Sequence, residues 1–101
     1  MSINTLTKFE IQKILVISTA HITLKDNKHL EYDAIFPDKA KLIVDKFNYG
    51  YYICVSNNPI KNEFYSDAVW NLIQLAKDQG CQYLKLDRDG QIYNELEKFD
   101  W

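Results

Sequence analysis

Arginine is almost missing from this sequence: Arg88 is the single guanidinium among 12 basic residues, the rest being lysines, and 14 acidic residues bring the net charge to −2. Binding to a phosphate backbone draws on dense basic charge and on arginine's bidentate fork, so nucleic acid is disfavoured as a partner. The same small net charge speaks against wholesale mimicry of DNA and gives weak long-range steering. Glycine and proline are scarce, at 3 and 2 residues, and 47% of positions are apolar, which excludes a disordered or linker-like chain. Cys54 and Cys81 are the only thiols, too few for a disulfide framework, and they read as reduced. No apolar run approaches the roughly 18 residues of a membrane span. The start Met1-Ser2-Ile3-Asn4-Thr5 lacks the basic and apolar pattern of a signal peptide, so the expected location is the cytoplasm.

What is present fits one domain over residues 1–101, within the size range of an autonomous core. Residues 11–17 are rich in β-branched side chains with four successive apolar positions, the pattern of a strand buried on both faces. From Thr23 to Ala34 a polar, helix-permissive run carries a thin stripe of Leu24, Leu30 and Ala34, with Thr23 or Asp26 as N-cap. Residues 41–47 and 51–55 flank Asn48-Tyr49-Gly50 as a hairpin, Gly50 being expected to supply positive φ in a three-residue loop. Asn58-Pro59 is a helix-opening dipeptide, with Asn62 or Ser66 as later alternatives. Tyr65, Ala68, Val69, Leu72, Ile73 and Ala76 then share one helical face, and Gly80 suits the position beyond the helix end. Residues 81–87 alternate as a strand before the turn Asp87-Arg88-Asp89-Gly90, and Ile92, Leu96 and Phe99 space a short docked tail.

The resulting order, β-α-β-β-α-β, predicts an α+β ferredoxin-like sandwich: an antiparallel four-stranded sheet, strand order 4-1-3-2, with two helices on one face. In that topology the first strand is central, and strands 1 and 4 run antiparallel. A nucleophile, base and orienter from Ser18, His21 and Asp87 is then excluded, because Asp87 falls about 20 Å from His21 at the far rim. Ser18, Thr19 and His21 instead share an edge with Asn57 and Cys81. There an imidazole could lower a thiol pKa, although hydroxyls and imidazole at a strand-to-helix turn more commonly satisfy the backbone. Two histidines and two cysteines show no metal-ligand spacing, and Asp87 to Gly90 lacks the remaining ligands of a calcium loop. No cofactor or metal is expected.

Helices on one side leave the other sheet face to be polar or to be covered. Alternation places Tyr83 and Lys85 outward, with either Tyr52 and Cys54 or Tyr51, Ile53 and Val55, and with either Leu15 and Ile17 or Ile14 and Val16. Phe47, Tyr52, Tyr83 and Lys85 are the binding residues expected on this tyrosine-rich face, which marks an interface unless the tail carrying Phe99 and Trp101 folds over it.

The segments Ser18-Thr19-Ala20-His21-Ile22, Tyr49-Gly50-Tyr51-Tyr52-Ile53 and Gly80 to Gly90 resemble a family of small bacterial proteins of plasmids, prophages and genomic islands. That family bears Ser-Thr-Ala-His followed by Ile or Leu, and Gly-Cys-x-Trp or Gly-Cys-x-Tyr running to Asp-x-Asp-Gly. The resemblance implies no assigned activity. It does imply a mobile-element role, such as an accessory factor or an inhibitor of a host defence complex. The leading expectation is a non-catalytic domain that binds a protein partner or itself. A small enzyme or ligand-binding protein using the Ser18, His21, Asn57 and Cys81 edge is the alternative, and single-stranded nucleic-acid binding through the open-face tyrosines is a third reading.

Overall fold

A computed structural model describes residues 9–56 and 59–101. The elements follow one another as β1 Ile14–Ser18, α1 Leu24–Ile35, β2 Val44–Phe47, β3 Gly50–Cys54, α2 Asp67–Asp78 and β4 Tyr83–Asp87. Thr23 caps α1 reciprocally: its hydroxyl accepts from the Asp26 amide and the Asp26 carboxylate accepts from the Thr23 amide, both at 3.0 Å. Helix α2 starts after Ser66 and not at Pro59; Asn58 lies outside the described residues. It buries Val69, Leu72, Ile73 and Ala76 of the face its periodicity marks and Trp70 besides, while Ala68 is half-buried. Gly80, at φ 74°, closes it. The Cys81 amide donates to the Ala76 carbonyl at 2.8 Å and the Gly80 amide to Lys77 at 2.9 Å, a Schellman end.

The sheet corrects the expected topology. Its strand order is β1-β4-β3-β2 and not 4-1-3-2. β1 pairs in parallel with β4, with Ser18 opposite Asp87, while β3 is antiparallel to both β4 and β2. The arrangement is therefore a mixed four-stranded sheet, not a purely antiparallel one, and β1 is an edge strand. β1, β2 and β4 run in one direction, so Ser18, Phe47 and Asp87 end at one rim.

Gly50 also serves a different purpose from the one expected. Phe47 faces Gly50 across a two-residue turn, and Gly80 is the positive-φ glycine among the described residues. A Cβ on Gly50 would lie 1.7 Å from the Leu86 carbonyl oxygen, so it is close strand approach that requires glycine there.

The register sets Val44, Ile53, Leu84 and Leu15 in one row, with Lys46, Tyr51, Leu86 and Ile17 in the next. These rows face the helices. Ile17, Ile53, Leu84 and Leu86 pack with Leu30 of α1 and with Val69, Leu72 and Ile73 of α2 as one buried cluster. α1 contributes little apolar surface, and two of its three buried residues are Asp26 and Asp33. Asp26 accepts from the Ser66 amide and hydroxyl at 2.8 and 2.6 Å. Asp33 accepts from the Leu42 amide at 3.0 Å and the Tyr65 hydroxyl at 2.7 Å. Charge-assisted hydrogen bonds thus do for α1 what an apolar stripe does for α2.

The tail is docked but not helical. Gln91 accepts from the Ser18 amide at 3.3 Å, Phe99 donates its amide to Ala20 at 2.8 Å, and the Trp101 indole donates to the Ile22 carbonyl at 2.9 Å. Tyr93 and Leu96 pack against the core. No helix among the described residues is long and apolar enough to cross a membrane.

Candidate functional site

The parallel pairing of β1 and β4 rearranges the residues expected at the sheet edge. Ser18 and Asp87 are side by side, whereas Cys81 precedes β4 at the opposite rim. His21, just beyond Ser18, is therefore about 20 Å from the thiol, one strand length away. No Cys81–His21 pair forms. Asn57 lies outside the described residues. Cys54 and Cys81 are both free; Cys54 ends β3 and Cys81 precedes β4, strands that pair directly and do not flank a central one.

His21 is 1% exposed and committed at both nitrogens. Its Nδ1–H donates to the Glu97 carbonyl at 2.7 Å, and its Nε2 accepts from the Tyr93 amide at 2.9 Å. These two backbone partners set the tautomer and leave no lone pair for a substrate proton. Ser18 Oγ accepts from the Ala20 amide at 3.0 Å, Thr19 is buried, and Asp87 Oδ1 accepts from the Asp89 amide at 2.9 Å. Each group of a would-be triad is bonded to backbone, so a nucleophile, base and orienter do not assemble. The signal for this role was the tail: a histidine that holds two backbone groups of a distant segment acts as a staple. No three or more His, Cys, Asp or Glu side chains among the described residues are grouped to hold a metal ion.

The open face of the sheet does bring residues together. The outward rows are Asp45, Tyr52, Lys85 and Val16, then Phe47, Gly50, Asp87 and Ser18, with Cys54, Tyr83 and Ile14 on the other side. Phe47 and Tyr52 rings meet at 5.1 Å between centroids. Lys85 Nζ lies 5.0 Å from the Phe47 centroid and 5.4 Å from that of Tyr52, and 3.7 Å from Asp87. The ammonium thus sits within cation–π range of two rings. Ile14 and Val16 stay 45% and 39% exposed, since the tail bonds to Ala20 and Ile22 and packs on the core side.

A second feature, invisible to sequence spacing, is a cleft of about 660 Å³ between α1, the β2–β3 hairpin and the tail. Glu31 forms one wall, accepting from Lys46 Nζ and from the Tyr51 hydroxyl, each at 2.7 Å. The Lys46 and Tyr51 hydrogen bonds hold the Glu31 carboxyl below its ordinary range. Burial, and then the bond to Glu31, push the Tyr51 phenol well above its own.

No curated protein and no solved structure matches this chain. The family model of the DUF5983 C-terminal domain, a family of unknown function, matches residues 14–101. That match runs from the first residue of β1 to the end of the tail, and the chain belongs to this family.

Proposed function

We propose that the chain is a non-catalytic protein-binding domain whose recognition surface is the open face of its sheet. The observation that carries this reading is the contiguity of Phe47, Tyr52, Lys85 and Tyr83 with exposed Ile14 and Val16. Tyrosine and phenylalanine beside a single cation suit an interface core, where large rings bury area at low entropic cost. Ser18, His21 and Asp87 are bonded to backbone groups, which favours binding over catalysis. The resemblance to plasmid and prophage proteins supports a mobile-element role, as an accessory factor or an inhibitor of a host defence complex.

The test combines light scattering after size exclusion with a pulldown from host lysate, using the native chain and a Tyr52→Asp, Val16→Glu variant. The native chain is expected to self-associate or to retain a specific protein, and the variant to lose it while keeping its melting temperature. A native chain that is strictly monomeric and retains nothing, or a variant that retains the partner fully, overturns the reading.

A further inference from the structure

The cleft between α1, the hairpin and the tail carries an inference of its own. We propose that it binds a planar aromatic ring bearing one phosphate, the chemistry of a nucleoside monophosphate. Its volume, about 660 Å³, is in the range of small-ligand sites. It opens at the rim where β1, β2 and β4 end together, outside the carboxyl ends of co-directional strands, the usual place for ligands in open sheets with parallel pairs.

Its lining supplies ring faces and a single uncompensated charge. Trp101 and Phe99 form the tail side and Tyr49 the hairpin side. Trp101 is 52% and Tyr49 50% exposed, yet the Trp101 indole is anchored by its bond to the Ile22 carbonyl. The tail ring is therefore held in place before any ligand arrives. Lys46 is neutralised by Glu31 at 2.7 Å. Arg88 pairs with no carboxylate among the described residues: its guanidinium lies 5.6 Å from the Tyr49 centroid and reaches only the Asn48 carbonyl, at 3.5 Å. A guanidinium resting on an aromatic ring with its fork open matches a phosphate bidentately. One free positive charge suits one phosphate, not a polyphosphate. Asn27 and Asn48 add amide donors and acceptors of the kind that read a base edge.

The experiment titrates the full chain with AMP, GMP, CMP and UMP, and separately with the corresponding nucleosides and inorganic phosphate, following the two indole N–H signals by NMR. At least one nucleotide is expected to move the Trp101 signal and leave that of Trp70, which is 8% exposed, unmoved. That nucleotide should bind more tightly than its nucleoside or phosphate alone, and Arg88→Gln should weaken it at least tenfold. Arg88 is exposed, so this variant keeps the fold, and an unchanged melting temperature checks it. Failure of all four nucleotides to move Trp101, equal binding of nucleoside or phosphate alone, or unchanged affinity in Arg88→Gln overturns the site. None of these outcomes depends on the open-face partner.

Discussion

Residue chemistry is most informative here where the side chains are polar and buried. Asp33 is 3% exposed, and its Oδ2 accepts from the Lys41 and Leu42 amides and the Tyr65 hydroxyl. Sequence spacing treats an aspartate in a helix as solvent-facing, so neither Asp33 nor Asp26 was legible as a core residue. Thr23 was legible, because a hydroxyl ahead of a polar helical run has few better uses than capping. Removing the Asp33 carboxylate leaves the buried Leu42 amide and Tyr65 hydroxyl unpaired. Asp33→Ala is therefore expected to cost about 3 kcal/mol in urea unfolding, given 1–3 kcal/mol for each stranded buried group. Tyr65→Phe made in that background should add far less than it does alone, because the two share one interaction.

At the scale of elements, the hairpin and α2 could be read because turn residues and a 3.6-residue period are local signals. The order of strands could not. The run Ile14-Leu15-Val16-Ile17 looks like a strand buried on both faces, but Ile14 and Val16 are exposed on the open side of an edge strand. Periodicity reports which faces are apolar and says nothing about which neighbour lies alongside. The edge expected to join Cys81 to His21 failed for that reason, whereas alternation paired Tyr83 with Lys85 on one face but left the choice between Tyr52 and Tyr51 to the register, which sets Tyr52 beside Lys85. Gly50 shows the same limit, since its neighbour Leu86 belongs to a strand that local reading did not place beside it correctly. Gly50→Ala puts a methyl 1.7 Å from that carbonyl oxygen and 2.8 Å from its carbon. Backbone cannot yield as a side-chain tip does, so a loss of about 3 kcal/mol is expected in chemical denaturation, at the upper end of overpacking.

The whole molecule is held by an apolar core and by phenols that tie helix α1 to the rest. Tyr51 of β3 donates to Glu31, and Tyr65, ahead of α2, donates to Asp33. Burial first, and then the carboxylate partner, raise both phenols well above their ordinary value, which is about 10. The unfolded chain releases these protons near that pH while the folded chain retains them. Their contribution is therefore complete below about pH 10 and declines as pH climbs toward the folded values. Spectrophotometric titration should show two of the 7 tyrosines ionising only with cooperative alkaline unfolding, and one in a Tyr51→Phe chain. Glu31 has the opposite sign, its support present above the carboxylate range and fading as pH falls through it.

The pairing of the first strand with the last has a temporal meaning as well. A ribosome delivers β1 long before β4, and among the described residues β4 is the strand that β1 bonds to. Until Tyr83 to Asp87 emerge, the nascent chain can close its hairpin but must leave β1 unpaired with β4, so this sheet is completed only once β4 has been made.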